Sequence, residues 1–283
     1  MGRAAPVFID QEGGRVQRLR APIARNWRPA LDFAQAAGVH APRAMYLRYR
    51  LIAAELTQLG IDGNCAPLAD IATDKNHPVL RNRCYGTTPG AVISCARGVS
   101  TGLIAGGVLP VLKHIPGHGR AQVDSHIGLP SVDAAPEDLM KNDFESFASL
   151  ADLPIGMTAH VVFEAYDSDA PATTSKTMID IIRSKLGFSG LLMTDDISME
   201  ALKGSPQARS AAALKAGCDL ALHCNGDLGE MRDIADALGR MSKQAAIRAE
   251  EALKLRDAAT EIDIPATEAE LEALITGGPY DPN

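Results

Sequence analysis

Two stretches of this chain carry the residue types needed for proton transfer and nucleophilic attack. The first, Lys113 to Pro130, reads KHIPGHGRAQVDSHIGLP and sets three histidines, a lysine, an arginine and an aspartate among glycines and prolines. Pro116, Gly117 and Gly119 forbid a regular helix there, so His114 and His118 do not share a helical face. Asp124 and His126 lie two residues apart, a loop spacing that lets a carboxylate orient and charge-stabilise an imidazole. Such an imidazole can give a proton to a leaving oxygen and then take one from water. The plainer reading is a surface histidine. The second stretch is Asp195-Asp196-Ile197-Ser198-Met199, directly after the run Leu191-Leu192-Met193-Thr194. Adjacent strand residues point to opposite sides, so one aspartate can face a substrate while the other holds loop backbone or a cation. A carboxylate kept ionised at a strand end can attack an anomeric carbon. It can equally cap the helix that follows.

Cations stand near these groups in the pattern: Arg18, Arg83, Lys113 and His114. They suit the hydroxyl and carbonyl oxygens of a polar substrate, or they pair with acidic neighbours. Asp10 can pair with Arg15 or Arg18, and it can also accept two sugar hydroxyls at once.

The elements that must position these residues alternate. Apolar runs at 6–9, 61–68, 108–113, 154–159, 190–194 and 219–222 read as strands, and each closes in a polar or ionisable residue: Asp10, Asp70, Lys113-His114, His160, Asp195 and His223. Helical periodicity fills 42–59, 89–105, 137–150, 177–186, 205–216, 228–239 and 241–262, with Pro42 near the start of the first and Gly60 at its end. Strand–helix alternation at this spacing gives parallel strands with crossover helices. A parallel barrel gathers all its C-terminal strand ends at one mouth, whereas a doubly wound sheet gathers only those at its switch point. Six ionisable strand ends favour the barrel. The expected fold is thus α/β, a (β/α)8 TIM-barrel type in which about six strands are counted, so the first two βα units, about 60 residues, stand unaccounted for ahead of Phe8. Such an open sheet is expected to expose two edges and an apolar interior. The chain, 1–283, reads as a single domain with a tail from about 263.

Composition agrees. Apolar residues make up 46% of the 283 residues and aromatics only 4%, which fits Ala-rich helices around a parallel sheet. The formal net charge of −7, without Lys/Arg clusters, argues against a nucleic acid or an anionic membrane as partner. Five cysteines with no C-x-x-C pair indicate neither a disulfide framework nor a zinc knuckle. With no signal-like apolar segment at the N-terminus and no apolar run of 18 residues, a cytoplasmic location is the default.

At these residues the sequence resembles family 3 glycoside hydrolases. The resemblance rests on Phe8-Ile9-Asp10-Gln11-Glu12-Gly13-Gly14-Arg15-Val16-Gln17-Arg18-Leu19, Asn82-Arg83, Lys113-His114-Ile115-Pro116-Gly117-His118-Gly119, Asp124-Ser125-His126 and Thr194-Asp195-Asp196-Ile197-Ser198-Met199. It runs in order from about residue 6 to 226. Ile115 and Thr194 stand where Phe and Ser are usual, both mild changes. The resemblance, narrowest to the bacterial β-N-acetylhexosaminidases of peptidoglycan recycling, implies a retaining β-N-acetylglucosaminidase. Asp195 would be its nucleophile, His126 the general acid/base and Asp124 the partner of His126. Asp10, Arg18, Arg83, Lys113 and His114 would bind the N-acetylglucosamine unit of a muropeptide substrate, with no metal and no cofactor. Gly117 and Gly119 would let their segment carry His126 over the sugar.

Two other readings compete. A metal-dependent barrel hydrolase would use His114, His160, His223 and Asp195, although the chain has no His-x-His at its first strand and no H-E-x-x-H. An inactive truncated barrel would bind sugar without cleaving it.

Overall fold

The computed structural model describes residues 5–74, 76, 78–121 and 128–275. Its centre is a six-stranded parallel sheet: β1 (Phe8–Ile9), β2 (Gly63–Asn64), β3 (Leu109–Ile115), β4 (Ile155–Thr158), β5 (Leu191–Asp196) and β6 (Leu220–Leu222). Every strand pairs with its neighbour in sequence, so the spatial order is the chain order. A doubly wound sheet reverses its order at a switch point and this one never does, which makes it the barrel type, here open as a half-barrel.

The period-2 alternation of the strands builds two faces. Leu109 and Val111, Ile155 and Met157, and Leu191 and Met193 form an inner apolar cluster with Cys65, against which Phe8, Leu220 and Leu222 also pack. Leu112 and Leu192 face the other way, into the core beneath the helices, and Ile115 joins them because the strand register shifts between Leu112 and Ile115. Continuing the inner rows of β1, β3 and β5 by two residues reaches Asp10, Lys113 and Asp195. The mouth of the half-barrel is therefore lined by the residues that end the inward rows.

The outer layer includes helices α1 (Ala30–Ala37), α2 (Ala41–Gln58) and α3 (Pro89–Ala105). Helices α2 and α3 lie backbone to backbone. A Cβ at Gly98 would stand 2.3 Å from the Pro42 carbonyl oxygen, and one at Gly102 2.5 Å from that of Tyr46, so only glycine fits at either place. Farther along come α4 (Pro206–Ala216), α5 (Leu228–Leu238), α6 (Lys243–Lys254) and α7 (Ile264–Leu274).

Several boundaries differ from the sequence pattern, for local reasons. The run 61–68 contributes only Gly63–Asn64 to the regular ladder because Pro67 has no N–H to donate. The chain nevertheless stays alongside β3, with the Ala66 and Pro67 carbonyls accepting from Val111 N at 2.8 Å and Lys113 N at 3.0 Å. The helix expected over 137–150 is divided into Pro136–Asp138, a π turn at Leu139–Asp143 and Glu145–Ala148. The one over 177–186 becomes Lys176–Asp180 followed by a π turn at Ile181–Lys185. The pattern leaves 264–274 in the tail, yet these residues form α7, whose Leu271 is buried. Helix α7 is tied down by Arg25 Nε to Glu268 Oε1 at 2.7 Å and by a bidentate Arg43–Glu270 pair at 2.7 and 2.8 Å.

The inner face is not bare. Helix α6 and the turn after it lay Ala249, Ala252, Leu253 and Leu255 against the inner cluster. Arg248 donates to Asp219 at 2.8 Å and to the Ser189 carbonyl at 3.1 Å, Arg256 reaches Asp62 at 2.6 Å, and Thr260 N bonds the Ala105 carbonyl at 2.9 Å. Asp62, Ala105, Ser189 and Asp219 all precede strands, so this segment crosses the sheet at the end opposite the mouth. No helix among the described residues is long and apolar enough to cross a membrane.

Candidate active site

The site is built on the tips of β1, β3 and β5 and on the hairpin after β1. That hairpin, Gln11–Gly13 with Val16–Gln17, is fixed by side chains rather than by its short ladder. Asn64 binds Gln11 through both its amide atoms at 3.0 Å, and the Gln11 side-chain oxygen accepts from Arg18 N at 3.0 Å and Leu19 N at 3.1 Å. The buried Arg48 donates to the Glu12 carbonyl from helix α2. These bonds aim Glu12 inward and bring Arg18 back over Asp10.

Charge then organises the mouth. Lys113 is 2% exposed and lies 3.0 Å from Asp10 Oδ1 and 2.6 Å from Glu12 Oε1. Arg83 grips Glu12 bidentately, Nε to Oε2 at 2.9 Å and Nη2 to Oε1 at 2.8 Å. Arg18, largely exposed, closes on Asp10 at 3.3 Å. Lys113 draws the Asp10 carboxyl far below the usual range against the opposing pull of burial, with Arg18 adding to the effect. Burial would raise Glu12, but Arg83 and Lys113 outweigh it and keep the carboxylate ionised. Burial alone would lower the Lys113 pKa, and Asp10 and Glu12 reverse that to a net rise.

Asp195 ends the inward row of β5. Its Oδ1 accepts from the Asp196 amide at 2.8 Å, and its Oδ2 lies 4.0 Å from His114 Nε2. Burial pushes its carboxyl up, yet His114, His160, the Asp196 amide and Lys113 hold it below the ordinary aspartate value. Asp196 turns away, its carboxylate accepting from Ser198 N at 3.0 Å, Ser198 Oγ at 2.6 Å and Cys224 N at 3.1 Å. The two neighbouring aspartates thus divide as strand alternation requires, one to the mouth and one to loop backbone. Lys113 and His114 are joined by a cis peptide, and both side chains reach the site.

A model of the glycosyl hydrolase family 3 N-terminal domain matches residues 4–254. The chain belongs to glycosyl hydrolase family 3. A β-hexosaminidase of Methylococcus capsulatus is 36% identical over 223 residues, 77% of this chain and 66% of that protein. Another, of Idiomarina loihiensis, is 34% identical over 231 residues, 80% of this chain and 69% of that protein. NagZ from Neisseria gonorrhoeae, solved in complex with N-trifluoroacetyl-D-glucosamine, is similar in structure with a TM-score of 0.81 at 29% identity, over 95% of this chain and 81% of that one. The chain spans about two thirds of the length of the curated relatives it matches.

Of the residues expected in this family 3 site, the structure brings Asp10, Arg18, Arg83, Lys113, His114 and Asp195 to one mouth. Asp124 and His126 lie outside the described residues. The sequence pattern gives no role to Glu12 or Asp70. Glu12 is the buried counter-charge of Lys113 and Arg83, and Asp70 accepts from His114 Nδ1 at 2.8 Å and His118 N at 2.6 Å. Both stood inside recognisable motifs or strand ends, and the missing signal was burial, which a string of letters does not carry. Gly119 has a structural reason for being glycine: a Cβ there would lie 2.7 Å from the Ile71 carbonyl oxygen.

The set considered for a metal is not assembled. His114 Nδ1 is taken by Asp70, His160 bonds Thr173 and the Asp196 carbonyl, and His223 bonds Glu230 at 2.9 Å. Among the described residues no group of three or more histidine, cysteine, aspartate or glutamate side chains is placed to hold a metal ion.

Proposed function

We propose that this family 3 chain is a retaining β-N-acetylglucosaminidase that removes terminal N-acetylglucosamine from peptidoglycan-derived N-acetylglucosaminyl-anhydromuramoyl-peptides. The observation that carries the reading is Asp195, an ionised carboxylate at the mouth, 4.0 Å from His114 and beside the Lys113–Asp10–Arg18 cluster. A carboxylate meant to attack must stay unprotonated, and its surroundings favour that. The names of the relatives and the N-trifluoroacetyl-glucosamine held by the gonococcal NagZ support the same sugar class.

In this reading Asp10 accepts two sugar hydroxyls while Lys113, His114, Arg18 and Arg83 donate to sugar oxygens. Asp195 attacks the anomeric carbon as the glycosidic C–O bond breaks, and the leaving oxygen takes its proton from His126, whose positive form Asp124 favours. The neutral His126 then takes a proton from water. The water oxygen bonds to the anomeric carbon and Asp195 departs, so two inversions leave the configuration unchanged. The place of action is the cytoplasm, in keeping with five cysteines that are all free thiols.

The test is hydrolysis of 4-nitrophenyl N-acetyl-β-glucosaminide by the purified chain, with proton NMR of the first-formed sugar. A β product and complete loss of turnover in Asp195→Ala are expected; undiminished turnover in that variant would overturn the assignment. Release of N-acetylglucosamine from an anhydromuropeptide, compared with chitobiose, tests the natural substrate.

A further inference from the structure

Behind the mouth, on and beside the outward rows of β4 and β5, three side chains and two carbonyls form a buried chain of hydrogen bonds. His160 follows β4 and is 1% exposed. Its Nε2 lies 3.0 Å from the Asp196 carbonyl oxygen and its Nδ1 2.7 Å from Thr173 Oγ1. Thr173 Oγ1 is in turn 2.8 Å from Thr158 Oγ1 and 3.0 Å from the Ala159 carbonyl, and both threonines are fully buried. The proton positions follow from chemistry. A carbonyl only accepts, so Nε2 must carry the ring's hydrogen. Burial holds the His160 pKa below its ordinary value against the pull of Asp195 and Asp196, so the ring is neutral and Nδ1 must accept. The Thr173 hydroxyl receives a hydrogen from Thr158 and shares its own between His160 Nδ1 and the Ala159 carbonyl. Asp196, gripped at its carbonyl by His160, uses its amide N–H to bind Asp195 Oδ1 at 2.8 Å.

We propose that His160 is a positioning residue for the nucleophile, with Thr173 fixing its tautomer: the Nε2–H anchors Asp196, and Asp196 sets the direction of the Asp195 carboxylate. No substrate contact is required of His160. It stands on the side of the strands away from the inner row, and both its ring nitrogens are engaged. Misplacement of a reacting group by about 1 Å can cost on the order of 100-fold in rate, which is the scale on which a lost anchor acts.

The kinetic part rests on the reaction proposed above, and the structural part does not. His160→Leu is expected to lower kcat on 4-nitrophenyl N-acetyl-β-glucosaminide by about 10–100-fold with KM within about twofold. His160→Gln, whose amide nitrogen reaches the place of Nε2, is expected to recover most of that loss. Crystals of the two variants should show the Asp195 carboxylate displaced in Leu and restored in Gln. A His160→Leu enzyme with the wild-type kcat and an unmoved Asp195, or equal losses in Leu and Gln, would overturn the proposal. Should His160→Leu fail to fold, Thr173→Val against Thr173→Ser supplies the same contrast, with Ser retaining activity. A wild-type chain silent on the aryl substrate would defeat the proposed reaction, while the displacement of Asp195 between the crystals still decides the role of His160.

Discussion

Asp70 Oδ2 holds His114 by accepting from its Nδ1 at 2.8 Å, which leaves Nε2 as the ring nitrogen that faces Asp195. The same carboxylate accepts the backbone amides of His114 and His118, so one buried side chain orients a ring and closes the turn beyond it. Asp70→Asn keeps the shape and removes the charge. It is expected to lower kcat/KM for the aryl glycoside by about 10–100-fold and to cost about 1.5–3 kcal/mol of stability, the worth of a hydrogen bond to a charged group. Kinetics and urea unfolding check both, and a variant indistinguishable from wild type in both would refute the role.

Glu12 stands between Arg83 and Lys113 with almost no access to water. Removing one member of a buried ion network strands the others, at a cost of about 3–5 kcal/mol. Glu12→Gln is therefore expected to unfold at clearly lower urea concentration, although Asp10 remains on Lys113. In the folded fraction KM should rise, because Arg83 and Lys113 lose the group that aims them. An unchanged urea midpoint would show that the network contributes nothing net.

His118 gives a pH dependence of known sign. Burial, with His114 nearby, lowers its pKa from 6.5 to about 4 in the folded chain. A group whose folded pKa is depressed contributes stability that is fully present above its unfolded pKa and is lost as pH falls toward the folded value. Stability should therefore decline between pH 6.5 and about 4, by about 3 kcal/mol at 1.36 kcal/mol per pKa unit. His118→Gln should flatten the urea midpoint across that window, and an equally steep decline in the variant would assign the effect elsewhere.

Ala252 on α6 is 3% exposed and faces the inner apolar cluster. Ala252→Asp would bury a carboxylate with no partner, at a cost of several kcal/mol. Glu251→Ala, one residue away and exposed, should stay within about 0.5 kcal/mol of wild type. Dye binding to exposed apolar surface and urea unfolding compare the two. Equal stability of both variants would mean that α6 does not cover the sheet.

Much of this was legible in the letters. The six strands, their parallel order and the ionisable residues at their C-terminal ends follow from alternation, and Asp10, Lys113 and Asp195 meet because each ends an inward row. What the letters hid depends on burial and on long-range partners. Glu12 reads as one more acid in an exposed-looking QEGG turn until Arg83, 71 residues away, closes on it. His160 invites a metal reading until the carbonyl of Asp196 is seen to claim its Nε2. Helix α7 carries Thr267, Glu268, Glu270 and Glu272 and looks like a tail, because its hold on the fold is the buried Leu271, the partly buried Ile264 and Leu274 against the core, and ion pairs to Arg25 and Arg43.

Helix α6 and its Arg248 and Arg256 anchors grip the strands at the end away from the mouth. Substitutions in that segment should change how many molecules are folded at a given moment and leave the turnover of each folded molecule as it was. In a cell such changes would register as protein abundance, since a shift of one or two kcal/mol alters steady-state levels several-fold. Dosage and selectivity would then answer to opposite ends of the same sheet.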